Sequence, residues 1–167
     1  MFDTSNLITN TKKDLHKLVF ELAWNEGFGC YTRTGFEKLV WPQIADKARW
    51  IIYFDIDDMH GLNQAAGSYE PVDAMIRQVL SIVRSTDYAV GQWKSGDEFL
   101  VCITDDRGRE TSNPVGLMYR LIAEMKRHGI TATFAVVPVL LGDLHANVQP
   151  AVDRVYELKR LRKEVRQ

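Results

Sequence analysis

The chain has 167 residues, 46% hydrophobic and 26% charged, which suits one globular domain with a single core and excludes a disordered or membrane-embedded chain. Its 21 basic and 22 acidic residues leave a formal net charge of −1, so no bulk positive field favours a nucleic-acid polymer as partner. Cys30 and Cys102 lack any pairing or metal-ligand spacing and read as reduced thiols of a cytoplasmic protein. Residues 1–10 lack the basic and apolar segments of a secretory signal, and the longest apolar run, residues 134–141, falls short of the ~20 residues of a membrane-spanning helix.

Leu15, Leu18, Val19, Leu22 and Ala23 recur at helical spacing and predict an amphipathic helix over residues 11–26, ended by Gly27. Its apolar stripe either packs on the domain or joins a partner subunit, so residues 1–29 are set apart as an N-terminal helix and loop, a candidate dimerisation element, from a domain over 30–167. Residues 27–31 read as a loop. Thr34 is placed to cap a second helix carrying Phe36, Leu39, Val40 and Ile44, with Pro42 a bend or break. Residues 48–55 form a near-continuous apolar run, the pattern of a central strand buried on both faces, and the run stops at acids.

A short helix over 60–66, ended by Gly67 and Ser68, precedes a longer one begun at Pro71, with Val72, Met75, Ile76, Val79, Leu80 and Val83 inward and an end near residues 85–87. Residues 88–93 and 98–104 are two strands of a hairpin around Lys94, Ser95, Gly96 and Asp97. A polar loop leads to a helix over 114–128, with Leu117, Met118, Leu121, Ile122 and Met125 inward and Gly129 as its stop. Then come a strand over 131–139, a loop over 142–149, and a final helix from about Pro150 to Val165, apolar at Val152, Val155, Leu158 and Leu161. This order describes an α/β (α+β) sandwich: a βααββαβ core with a mainly antiparallel central sheet, of the ferredoxin-like or polymerase-palm type, plus an N-terminal helix.

In that topology the end of the first long strand, Asp55, lies beside the hairpin acids Asp97 and Glu98. Carboxylates opening a buried strand are costly unless something positive sits against them. They are hard oxygen ligands of the kind Mg²⁺ or Mn²⁺ prefers, above all when phosphate oxygens complete the shell, and such a site serves nucleotidyl transfer. Either acidic segment alone reads equally well as an ordinary polar turn; their pairing points to a site. Ser95 and Gly96 are small enough for a nucleotide to approach the backbone N–H groups closely.

Phe54-Asp55-Ile56-Asp57 followed by Asn63 and Gly67, then Ser95-Gly96-Asp97-Glu98-Phe99, and late Tyr156-Glu157-Leu158-Lys159, together resemble the GGDEF family, the diguanylate cyclases, over about residues 31–163. The resemblance implies an enzyme that condenses two GTP into cyclic di-GMP and pyrophosphate as a homodimer, each subunit presenting one GTP. It implies Asp55, the Ile56 carbonyl, Asp97 and Glu98 as metal ligands, with 3′-hydroxyl activation shared by Asp97 and Glu98. Asn63 and Asp73 match guanine contacts, the latter with one extra residue in the loop before Pro71. Lys159 and Lys163 match basic positions that steady the triphosphate.

Departures from the family pattern fall around these positions. Ser95 replaces a glycine, His60 stands where a phosphate-facing lysine is usual, Gln64 replaces an aspartate, Ser68 a histidine and Trp93 an arginine. Arg84 and Asp87 resemble the family's RxxD inhibitory site but lie two residues too far from Ser95, so they read as a helix-end charge pair. Alternatives therefore stay open: a degenerate module that binds GTP, cyclic di-GMP or a protein without catalysis, or a cyclase making another cyclic dinucleotide. Arg160, Arg162 and Arg166 read as a solvated face complementing the helix C-terminus. His16, His128 and His145 read as surface residues, and Trp24, Trp41, Trp50 and Trp93 as packing residues.

Overall fold

The computed structural model describes residues 14–15, 17–83, 88–94, 96–105, 113–140 and 142–165. Its strands are β1 (Trp24–Asn25), β2 (Cys30–Tyr31), β3 (Ala48–Ile56), β4 (Tyr88–Gln92), β5 (Glu98–Thr104) and β6 (Ala132–Pro138). They form one sheet in the order β1-β2-β4-β5-β3-β6. Every neighbouring pair is antiparallel except β2 with β4, so the sheet is mixed and mostly antiparallel, as expected. The helices are α1 (residues 17–23), α2 (Arg33–Gly35), α3 (Trp41–Ile44), α4 (Met59–Ala66), α5 (Glu70–Ser81), α6 (Pro114–Arg127) and α7 (Leu144–Val165), with a π-helical turn Phe36–Val40 between α2 and α3.

The period of two along β3 divides the core in two. Ile52, Phe54 and Ile56, with Phe99, Val101 and Ile103 of β5, pack under α5 and α6. Ile51 and Tyr53, with Leu100 and Cys102, pack on the other face against Val148, Ala151, Val152 and Val155 of α7 and Phe36 of the π turn. Asp55 and Glu98 continue this second face, so the alternation that buries the core also turns both acids toward α7.

Several expectations are corrected. Residues 30–31 pair with β1 and β4 rather than forming a loop. The cap of α2 is Thr32, whose side chain accepts from the Gly35 N–H at 3.1 Å, and Thr34 lies inside the helix. The final helix begins at Leu144: Asp143 accepts from the Ala146 N–H at 3.2 Å, and Pro150 sits within the helix. Helix α5 ends at Ser81, and Arg84 and Asp87 lie outside the described residues. Ile122 is 38% exposed rather than inward, and Leu161 is likewise exposed. On the N-terminal helix, Leu15, Leu18, Val19 and Leu22 are all exposed, and only Ala23 reaches the core.

Close approach of the chain at residue 23 demands a glycine opposite. A Cβ on Gly35 would stand 2.2 Å from the Ala23 carbonyl oxygen, the same oxygen that accepts from the Thr32 N–H. Gly35→Ala is therefore expected to destabilise by about 1–3 kcal/mol, read as a lowered urea midpoint at unchanged slope. A midpoint equal to that of the parent chain overturns this reading of the contact.

Candidate functional site

Asp55 is the ladder partner of Glu98 on β5 and of Thr133 on β6. The two acids are 5% and 6% exposed. Backbone bonds pin the turn between them: the Ile56 N–H donates to the Asp97 carbonyl at 2.9 Å and the Trp93 N–H to the Glu98 carbonyl at 2.8 Å. Gly96 adopts φ +68° at the hairpin tip, a left-handed conformation that glycine reaches without a Cβ clash. Ser95, beside it, lies outside the described residues.

Helix α7 crosses above and lowers Tyr156 and Lys159, one turn apart, onto the acids. The Tyr156 hydroxyl donates to Glu98 Oε1 at 2.8 Å and accepts from Lys94 Nζ at 2.8 Å. Lys159 Nζ donates to Asp55 Oδ1 and lies 3.5 Å from Asp57 Oδ1. Burial pushes the Asp55 carboxyl above the usual range, and Asp97 and Glu98 push the same way, while Lys159 opposes them. Asp97 is likewise raised, first by burial and then by Glu98, against Lys159.

An acid raised in the folded state binds its proton more tightly there than in the unfolded chain. Stability is then lost as pH climbs from the unfolded value through the raised one, and at neutral pH the ionised acid is a standing cost. Asp97→Asn removes that cost. In chelator, the variant should melt above the parent chain at pH 7.5, and the gap should close toward about pH 4, near the ordinary aspartate value. A gap that widens on acidification sinks this assignment.

Glu98 Oε2 is buried without a hydrogen-bond partner among the described residues, and so is the Tyr53 hydroxyl. The two are neighbours: after burial, Glu98 is the chief cause holding the Tyr53 phenol far above its usual range, yet no well-aligned hydrogen bond joins them. A buried carboxylate oxygen left bare fits a hard cation. Among the described residues no three His, Cys, Asp or Glu side chains cluster as a metal cage, so a cation here would draw on Asp55, Glu98, a backbone carbonyl such as that of Ile56, and oxygens from a ligand.

A cavity of about 540 Å³ opens beside the acids, lined by Asp57, Asp58, Thr131, Lys159, Arg162 and Lys163. Arg162 Nη1 donates to Thr133 Oγ1 at 2.8 Å and lies 3.4 Å from Asp57 Oδ2, and the Thr133 hydroxyl donates to Asp57 Oδ1 at 3.0 Å. Arg162 is exposed, as expected of a solvated face, and it also lines the cavity. Its spacing gave the signal: positions 159, 162 and 163 share one helical face. Tyr53 and Thr133 were also missed, although the period of two places them on the face of Asp55 and Glu98.

The base-contact candidates sit apart, on α4 and α5. Asn63 Oδ1 is buried and accepts no hydrogen bond among the described residues. Asp73 Oδ2 lies 3.2 Å from where a Cβ on Gly27 would stand, and burial and Glu70 raise its carboxyl against the pull of Arg77. His60 is exposed on α4, which starts at Asp58 in a left-handed conformation with φ 52°. Among the described residues no hydrogen bond or ion pair joins Asn63, Asp73 or His60 to the acids. Trp93 packs under the Arg33 guanidinium, 4.6 Å from the ring centre, and beside His145, which pairs with Glu37 at 2.8 Å. His145 is thus half-exposed but engaged, and His16 lies outside the described residues.

Comparison with solved structures finds this mostly antiparallel, palm-like sheet in GGDEF domains. The coiled coil and GGDEF domain of DgcB from Caulobacter crescentus, in complex with cyclic di-GMP, aligns with TM-score 0.74 at 16% identity, over 95% of this chain and 91% of that one. A microbial GGDEF domain described for its interaction with cyclic di-GMP aligns at 0.65 and 15%, over 83% and 93%. The diguanylate cyclase SiaD of Pseudomonas aeruginosa, with its activator SiaC, aligns at 0.66 and 19%, over 93% of this chain but 65% of that one. No family model matches the chain, and no curated protein matches it. The chain has the GGDEF-domain fold. Among the described residues no helix is long and apolar enough to cross a membrane, and both cysteines are buried and free.

Proposed function

We propose that the protein is a diguanylate cyclase, condensing two GTP into cyclic di-GMP and pyrophosphate by metal-assisted nucleotidyl transfer. The observation that carries this is the buried cross-strand pair of Asp55 and Glu98, with Glu98 Oε2 left bare beneath a cationic helix. Asp55, Glu98, Asp97 and the Ile56 carbonyl would hold Mg²⁺ or Mn²⁺, which supplies charge neutralisation at the phosphates and a lowered barrier to hydroxyl attack. Glu98, gripped by Tyr156, is placed to take the proton of a 3′-hydroxyl. Lys159 and Lys163 meet the triphosphate, and the unpartnered Oδ1 of Asn63 is free to accept from a purine amino group. Incubation of the purified chain with Mg²⁺ and each labelled NTP, followed by product separation, tests the reading. No product from any NTP rejects it, and a cyclic dinucleotide other than cyclic di-GMP moves the error to the base contacts.

A second reading has its own support. Lys159 pairs with Asp55, the arrangement a lysine standing in for a metal ion would make. A domain of this kind binds nucleotide without turning it over, and saturable GTP or cyclic di-GMP binding without product selects it.

Catalysis needs two triphosphates face to face, which calls for a homodimer. The exposed row Leu15, Leu18, Val19 and Leu22 offers the surface. Leu18→Glu with Leu22→Glu is expected to shift the chain from dimer to monomer in light scattering, and to cut the rate about tenfold or more at low micromolar enzyme. A strictly monomeric parent chain whose rate is linear in its own concentration rejects the dimer.

A further inference from the structure

Lys159, Arg162 and Lys163 stand at i, i+3 and i+4 on α7, on one face, over a cavity of about 540 Å³ whose other charged walls are Asp57 and Asp58. Lys163 has no carboxylate partner among the described residues. Arg162 has one, but the ion pair is long, 3.4 Å between side chains 53% and 28% exposed, and such pairs hold weakly. Its one short bond, 2.8 Å, goes to a neutral hydroxyl, that of Thr133. Both contacts use Nη1 alone, leaving the rest of a planar five-donor fork directed at neither acid.

We propose that Arg162 is a third phosphate-binding cation of this cavity, held by Asp57 and handed over to the β- and γ-phosphates of a bound nucleoside triphosphate. The inference rests on the nucleotide-binding reading above and deepens it. Handover leaves Asp57 hydrogen-bonded, because the Thr133 hydroxyl donates to it at 3.0 Å. The guanidinium gains what a carboxylate at 3.4 Å does not give it, a bidentate match to tetrahedral oxygens. Asp57 thereby acts as a counter-ion that excludes stray single anions and yields to a polyphosphate. The test must separate direct phosphate contact from mere neutralisation of Asp57.

Isothermal titration of the full chain with sodium tripolyphosphate, at fixed ionic strength and without nucleotide, reads phosphate binding apart from base and ribose. Arg162→Met is expected to weaken binding about tenfold or more, and Arg162→Lys, which keeps the charge but loses the fork, to fall between. Arg160→Met removes a cation that pairs with Glu164 at 3.8 Å, outside the cavity lining, and is expected to stay within about twofold of the parent chain. Asp57→Asn should tighten binding by releasing the guanidinium, and that gain should shrink when Arg162→Met is added. Circular dichroism of each variant confirms the fold. A parent chain that does not bind tripolyphosphate, an Arg162→Met no weaker than Arg160→Met, or an Asp57→Asn gain of equal size with and without Arg162, overturns the inference. GTP condensation, assayed separately, keeps the two readings apart. Arg162-dependent binding with no product sinks the cyclase and leaves this site standing, while product formation with Arg162-independent binding sinks this site alone.

Discussion

On the proposed cyclase reading, Glu98→Gln is expected to lower cyclic di-GMP formation by about 10²–10⁴-fold while leaving the fold intact. The exchange keeps the shape of the side chain, and the amide oxygen can still accept from the Tyr156 hydroxyl in the place of Oε1. What changes is the other atom. Oε2, buried and bare, becomes an NH₂ group, which neither ligates a cation nor accepts a proton. The loss therefore falls on chemistry and on metal response together. Thermal melting should show the parent chain stabilised by Mn²⁺ with GTP and the variant much less so. Loss of catalysis with an unchanged metal response would limit Glu98 to proton transfer, and activity within about threefold of the parent chain would remove it from the site. Asp55→Asn makes the sharper comparison. It also removes the charge that Lys159 faces there, leaving Asp57 at 3.5 Å as the nearby carboxylate, so its stability need not follow that of Glu98→Gln.

How much of this was legible in the sequence depended on whether the signal was periodic. The strand at 48–55 and the hairpin at 88–104 declared themselves because burial on both faces demands apolar residues at every position, and the acids stood out as the place where that demand stops. The short strands β1 and β2 were not legible. Two residues carry no period, and Gly27 and Gly29 around Phe28 read as loop. Pro150 hid the first turns of α7, because a proline tolerated inside a helix looks like a proline that starts one. In the site, the expected meeting of Asp55 and Glu98 is seen as a cross-strand pair, whereas the contact of Lys159 with Asp55 was not anticipated. Arg162 reads as a solvated helix-end cation and is exposed, while its contacts with Asp57 and Thr133 join segments far apart in the chain and leave no periodic mark in the sequence. The proposed base contacts, Asn63 and Asp73, depend on a loop whose length departs from the family pattern, and their test lies with the nucleotides.

Phe54→Ala is expected to cost about 3–5 kcal/mol of stability and to lower the melting temperature by about 10 °C. Phe54 is fully buried between Phe99, 5.5 Å away, and Phe134, 5.1 Å away, and Phe99 in turn meets the edge of Phe28 at 5.1 Å. Truncation opens a cavity in the middle of this row, and the flanking residues are strand-bound and little able to close it. The cavity lies on the α5 and α6 face, whereas Asp55, the next residue, points to α7. The ladder bonds that fix Asp55 opposite Glu98 belong to the backbone and survive the change. Stability should thus fall much further than activity measured well below the melting point. If instead activity collapses while the urea midpoint barely moves, the two faces of β3 are not independent, and the acids are held in place by the aromatic row rather than by the ladder.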